Sequence, residues 1–542
     1  MPVHPDHPPP LPVSRRSLLM RGGAALGTGT LLTAAGAEAA QPAPARAFDV
    51  RAFGATGQRA DNATQAFQSA IDACTAAGGG TVRVAPGDYT VGMIQLKDNV
   101  TLDLDAGATL FLSQTNDEFP RGRRAMVFAE NAHNIAVTGR GTLDGLAQYV
   151  FTDMRGLDPE IADEIAIARA AGVDMRRYYR TGVQTYMFIL NGCRNVLLRD
   201  ISLLHSPLWN VRLNDCDRVH VHGVYIYSDL EKGVNADGID IVSSRNVTIS
   251  DSIIETADDA IVLKTIARDG RPAQPTENVT VTNCVLSSSS CALMIGTETE
   301  ADIRHVLFTS CVIRNSNKGV GINVQDGAIV SDVIYRGLTI ETSRRHWNWW
   351  GSAEMCKFVL KKRTPASRLG AIRDIAISDV IAHARGTSTI VGHAESPIEN
   401  LRLTGVALHV LPENTVDKRA TDAMRVEHVR GLRVRDLSVR WADEQPEPKW
   451  ASAIVLRRAS DFSIDGFSGR QGRAAVNDPA IVLEDSAEGT ISSARGTTGC
   501  RRLIHVQGNG TRAIAIRDSS VPAGGTVVTY ASDRLRRAVK VS

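Results

Sequence analysis

The chain has 542 residues, 43% of them apolar, 22% charged and 5% aromatic, and 61 Lys and Arg against 59 Asp and Glu leave a net charge of +2. So even a balance argues against nucleic acid as the main partner, because phosphate binding needs a basic surface. The composition is too apolar for a disordered chain, and 46 Gly beside 21 Pro without a triplet period exclude collagen.

At the N-terminus, Ser14-Arg15-Arg16-Ser17-Leu18-Leu19-Met20 sets paired arginines before an Ala/Gly/Leu-rich stretch, Gly22 to Ala35, and Ala37-Glu38-Ala39 reads as a small-residue cleavage site. The pattern resembles a bacterial twin-arginine export signal over residues 1–39, which implies a periplasmic or extracellular protein. No later stretch reaches the ~18 apolar residues a membrane span needs, so no membrane association is expected. The eight cysteines are widely scattered without a paired metal-ligand spacing, and mostly free, buried thiols are expected.

Asp61-Asn62-Ala63 reads as a helix start, and Ala63, Phe67, Ala70, Ile71 and Cys74 form an apolar stripe that runs to Gly78-Gly79-Gly80. This helix is expected to cap the N-terminal end of a column of strands. Asp158 to Arg180 reads as a charged helical insertion ending in Arg176-Arg177-Tyr178-Tyr179-Arg180.

A strand cassette then recurs, as in Asn195-Val196-Leu197-Leu198-Arg199-Asp200-Ile201 and Asn246-Val247-Thr248-Ile249-Ser250-Asp251. Its first apolar residues are Val196, Val219, Val247, Val279, Val306, Val333, Ile375, Leu401, Leu432 and Phe462, with successive gaps of 23, 28, 32, 27, 27, 42, 26, 31 and 30. Apolar and polar residues alternate within each copy, so one strand face is buried, and Asn or Asp marks the turn into the strand. Repeats of this length that supply strands and no helix indicate a β-solenoid. Unequal gaps fit irregular three-stranded coils, so the predicted fold is an all-β, right-handed parallel β-helix. Residues 40–542 are read as one such domain, with 391–542 continuing as C-terminal coils. Asn99, Asn246 and Asn278, each before Val-Thr, match a glycosylation triplet but are read as the repeated turn into the strand.

Residues one coil apart lie side by side, roughly 4.8 Å from each other. Asn235-Ala236-Asp237-Gly238-Ile239-Asp240 and, one coil on, Thr256-Ala257-Asp258-Asp259-Ala260 therefore bring Asp237 beside Asp258 and Asp259. Crowded acids raise at least one pKa and leave another group ionised. That is what glycoside hydrolysis needs, a protonated acid and a carboxylate that activates water. Stacked acids can also satisfy turn N–H groups or bind Ca²⁺, and spacing alone leaves these three readings open.

These two acid motifs resemble glycoside hydrolase family 28, the polygalacturonases and relatives. Phe48-Asp49-Val50-Arg51-Ala52-Phe53-Gly54-Ala55, His205-Ser206-Pro207-Leu208-Trp209, Leu293-Met294-Ile295-Gly296-Thr297-Glu298 and Trp350-Gly351-Ser352-Ala353-Glu354 agree with it, over about residues 48–390. The resemblance implies Asp258 as general acid, Asp237 and Asp259 as the groups that hold and deprotonate water, and inversion at the anomeric carbon. Asp240 aligns with an acid that is structural there. No cofactor and no metal are expected, the partner is a polysaccharide or oligosaccharide, and a monomer is expected.

Two departures bear on specificity. A Gly-His-Gly segment of the family is Ser290-Cys291-Ala292 here, and its Arg-x-Lys pair, which clamps the galacturonate carboxylate, is Gly321-Ile322-Asn323. Asn323 can hydrogen-bond a hydroxyl but cannot neutralise a carboxylate. A neutral or differently substituted α-linked sugar is therefore expected next to the cut, unless Arg344, Arg345, Arg176, Arg177 or Arg180 supplies a cation. Lys264, Glu298, Asn323, Arg345 and Trp350 are the expected substrate-binding residues; Lys264 reads equally as a group that tunes the carboxylates or pairs with a neighbouring acid, and Trp347, Trp349 and Trp350 read either as a stacking platform or as a buried end-of-coil cluster. A β-eliminating polysaccharide lyase and an inactive carbohydrate-binding solenoid are the alternative functions.

Overall fold

The structure, a computed structural model, describes residues 47–152, 162–173, 177–233, 235–344, 351–474 and 476–542. The export-signal reading of 1–39 and the residues Arg176, Arg345, Trp347, Trp349 and Trp350 lie outside the described residues.

The repeating cassette becomes a ladder. Val196 is level with Val219, Val219 with Val247, Val247 with Val279, Val279 with Val306, Val306 with Val333, Val333 with Ile375 and Ile375 with Leu401, all in parallel pairing. Each of these markers is buried. Three such ladders run the length of the described fold and join 41 strands into one sheet wound on itself. The inward side chains fill one continuous core, and winding leaves each central strand paired on both sides, so only the terminal coils present edges. The predicted parallel β-helix is the fold observed.

The turn residue works by its backbone. Asn99, Asn134, Asn195, Asn246 and Asn278 all take the left-handed conformation, with φ between 53° and 61°, which Asn tolerates better than most residues. Their amides then form a ladder of their own: Asn134 Nδ2 donates to Asn99 Oδ1 at 2.8 Å, Asn195 Nδ2 to Asn134 Oδ1 at 2.7 Å and Asn278 Nδ2 to Asn246 Oδ1 at 3.0 Å. The Asn-Val-Thr triplets arise from this geometry.

Coils begin before the first copy recognised in the sequence. Leu102 is level with Val137, and Ile135 with Val196. The insertion separates Ile135 from its neighbour by 61 residues, and that hid the repeat. The insertion itself differs from the helical expectation. Among its described residues a helix spans Ala162–Ala170, and Arg177–Thr181 pairs antiparallel with Gln148–Thr152. Tyr178 and Tyr179 opposite Phe151 and Val150 are β-formers, and their preference prevails once a partner strand is available.

The helix Thr64–Ala76 buries Ala66, Phe67, Ala70, Ile71 and Cys74, and Asn62 Oδ1 accepts from Thr64 N at 2.9 Å at its start. Gly78 and Gly79, with φ of 92° and 116°, turn the chain out of it. All eight cysteines are buried thiols. Among the described residues no helix is long and apolar enough to cross a membrane.

Candidate active site

The third ladder carries the acids. Ile239 is level with Ile261, and Gly238 N donates to Asp259 O at 2.9 Å. Core residues Ile239, Ile241, Ile261 and Leu263 fix which way each strand faces, so Asp240 and Lys264 must point outward. Asp237, Asp258 and Asp259 converge, with one carboxylate oxygen of each within 4.8 Å of the others. Asp237 is 2% exposed and Asp259 8%, while Asp258 is only partly covered. Of the three, Asp258 is the most exposed.

Each acid is held differently. Asp259 Oδ1 accepts from Ser290 Oγ at 2.7 Å and from Cys291 N at 3.1 Å. Asp258 Oδ1 accepts from Asp259 N at 2.9 Å, and its backbone oxygen accepts from Thr256 Oγ1 and Ser288 Oγ, both at 2.8 Å. The Asp237 backbone oxygen accepts from Asn210 N and Nδ2, each at 2.8 Å. Ser290-Cys291-Ala292, which lacks the family's histidine, thus supplies two donors to an acid of the cluster.

Lys264 stands among the acids. Its Nζ is 3.5 Å from Asp240 Oδ1, 3.3 Å from Glu298 Oε2 and 3.9 Å from Asp237 Oδ2, and it stands 4.2 Å from the centre of the Trp209 ring. An ammonium so enclosed compensates these carboxylates, as a pairing partner of neighbouring acids does. Glu298 is the more open partner, with 39% of its side chain exposed. Asn323 stands two strands further along the same ladder, after Cys291–Thr299. Its Oδ1 is buried without a hydrogen-bond partner.

Burial, then the charges of Asp258 and Asp240, push the Asp237 carboxyl well above the usual carboxylate range. Burial also raises Asp258, with Lys264 pulling the other way. Burial and the Asp258 charge bring Asp259 to about 6, and burial brings Asp240 to about 8. For Lys264, burial opposes the charge, but Asp240, Glu298 and Asp237 outweigh it and raise the pKa. The cluster therefore holds protons at neutral pH while Asp259 is largely ionised. The same three oxygens could hold a small cation, but Lys264 already supplies positive charge there.

Lys318 was not anticipated. It is 5% exposed and level with Cys291, and its charge lowers the pKa of both Asp258 and Asp259. Its Cδ also occupies the space over Gly321, 3.3 Å from where a Cβ would stand. Lys318→Met is expected to raise the Asp259 carboxyl above about 6. A carboxyl titration followed by carbon NMR that shows Asp259 unmoved would rule out that coupling.

Comparison with known proteins gives one family. The model of glycosyl hydrolases family 28 matches residues 74–425. An exo-poly-alpha-D-galacturonosidase from Dickeya chrysanthemi is 24% identical over 301 residues, 48% of this chain and 49% of that protein. An endo-polygalacturonase from Pectobacterium parmentieri is 27% identical over 253 residues, 44% of this chain and 58% of that one. The chain thus spans about half the length of the curated relatives it matches. Among solved structures, an exopolygalacturonase from Thermotoga maritima has a TM-score of 0.59 at 19% identity, covering 73% of this chain and 92% of that one. A family 28 exopolygalacturonase from Yersinia enterocolitica has a TM-score of 0.58 at 17% identity, covering 78% of each chain. These two structures share its fold.

Proposed function

Because the chain belongs to glycosyl hydrolases family 28, we propose that it hydrolyses an α-linked glycosidic bond in a pectin-type polysaccharide or oligosaccharide. The observation that carries this reading is the meeting of Asp237, Asp258 and Asp259 from adjacent coils within 4.8 Å. Asp258 protonates the leaving glycosidic oxygen as the bond from the anomeric carbon to that oxygen breaks. Asp259, ionised and held by Ser290 and Cys291, takes the proton of the attacking water, and Asp237 orients that water. The new carbon–oxygen bond forms on the opposite face, and the anomeric configuration inverts.

Proton NMR of the first product tests this step. For an α-linked substrate the β-anomer is expected first, and a first-formed α-anomer would overturn inversion. The oxygens approach more closely than is usual in inverting pairs, and such spacing is associated with a nucleophilic carboxylate and retention. The first-formed anomer separates the two routes. An unsaturated product, seen by its ultraviolet absorbance, would instead establish β-elimination.

With Gly321 and Asn323 at the positions of the family's cationic pair, the sugar next to the cut is neutral or carries a substituted carboxyl. Arg345 and Trp350 stay in this proposal as groove contacts. We assign residues 1–39 to a twin-arginine signal, 40–542 to one monomeric β-helix domain, and the mature protein to the periplasm or the exterior, on the motifs of the N-terminal segment.

A further inference from the structure

The outward face of the third ladder continues past the acids along one register. Asp240 is level with Val262, Val262 with Met294, Met294 with Gly321, Gly321 with Lys357, Lys357 with Thr389 and Thr389 with Arg425. Each of Lys357, Thr389 and Arg425 is flanked by core residues, Cys356 and Phe358, Ser388 and Ile390, and Met424 and Val426. They therefore point outward. A cleft of about 190 Å³ opens there, lined by Glu354, Lys357, Thr389, Arg419, Thr421 and Arg425 among others. Its strand Glu354–Leu360 lies three coils from Asp259, ~14 Å along the axis at about 4.8 Å per coil.

Charge in this cleft is layered. The acids lie behind: the side chains of Asp417, Asp422 and Glu354 are 0%, 7% and 2% exposed. The cations lie in front, with Lys357 at 32% and Arg425 at 39%. Arg425 Nη2 is committed to Asp422 at 2.8 Å and Thr421 at 3.2 Å, and among the described residues no hydrogen bond engages its Nη1. Lys357 Nζ is 3.9 Å from Glu354 Oε1, beyond hydrogen-bond reach. Two outward cations with unfilled donor capacity above buried counter-charges suit a planar anion, which an Arg edge and an ammonium can share.

We propose that Lys357 and Arg425 form a remote subsite for the carboxylate of a uronic acid residue several sugars from the bond cut. This rests on the hydrolase reading above and narrows the substrate to a heteroglycan, neutral at the cut and acidic further along the groove. The cation absent at Gly321 is thereby supplied one coil on, in the same register.

Calorimetry on the Asp258→Asn protein tests this, because the ligand survives there. The probes are a pectin-derived oligosaccharide containing neutral and galacturonic acid residues, and its carboxyl-reduced form. The acidic form is expected to bind ~10-fold tighter or more, with the advantage shrinking as salt rises and disappearing with an added Lys357→Met. Arg425→Met should reduce it too; among the described residues the Lys357 side chain makes no hydrogen bond, only a 3.9 Å approach to Glu354, so its variant keeps the test independent of folding. Equal binding of both forms, or an acid preference unchanged by Lys357→Met, overturns the subsite. Cleavage by the unaltered protein with equal binding of the two forms removes the subsite alone. Acid-preferring binding without cleavage of either form leaves the subsite and removes the hydrolase reading.

Discussion

Changing Asp258 to Asn is expected to lower glycan hydrolysis by ~10³-fold or more, in line with the upper range for general acid catalysis, while the protein stays folded. The amide is the size of the carboxyl and keeps an acceptor for Asp259 N, which now donates to Asp258 Oδ1 at 2.9 Å. The backbone bonds from Thr256 and Ser288 do not involve the side chain. What is lost is a proton that can pass to the leaving oxygen. Stability should hold or rise, because the Asp258 charge is among the causes that raise Asp237 and Asp259. Reducing-sugar release decides the matter together with a melting curve: near-normal release from a folded variant would remove Asp258 from the mechanism.

Lys264→Met is expected to have the largest effect on the fold itself, about 3–5 kcal/mol, the range for removing one partner of a buried ion pair. Met leaves Asp237, Asp240 and Glu298 without the ammonium that stands within 3.9 Å of each. Neither oxygen of Asp240 has a hydrogen-bond partner, so that group bears most of the loss. The pH dependence has a definite sign. A carboxyl whose pKa is raised in the fold disfavours folding once it ionises, from the ordinary carboxylate range upward through about 8 for Asp240. Without Lys264 that pKa rises further, so the deficit is smallest in acid and grows toward neutral and alkaline pH. Urea unfolding at several pH values measures this, and adding Asp240→Asn should recover part of it. A deficit that does not change with pH would show that Met disturbs packing and not charge.

Much of this organisation was readable beforehand. The alternation in Asn246-Val247-Thr248-Ile249 is a local property, and it specifies a strand with one buried face wherever that strand lies. Because the same marker recurs at every coil, stacking turns the gaps between markers into register, and the markers do meet side by side. Asp237 and Asp259 were legible for the same reason, each lying two residues before a core isoleucine, Ile239 or Ile261. Where an insertion stretched one gap, as between Ile135 and Val196, the repeat was lost to inspection. The signal was present in Asn134-Ile135-Ala136-Val137, whose alternation and left-handed Asn match those of Asn195-Val196-Leu197-Leu198.

By itself, then, the amino-acid order determined the wound parallel sheet, the face each strand buries and the coils that carry the acids, since all three depend on patterns within a few residues. Only the tertiary structure decided that Ser290 and Cys291 hold Asp259, that Lys264 is enclosed by acids, and that Lys318, Lys357 and Arg425 lie along the same face. Those contacts join residues tens of positions apart through side chains whose reach and direction depend on neighbouring coils. Long charged side chains have many rotamers, and it is the burial and counter-charges around them, set by the assembled fold, that select one.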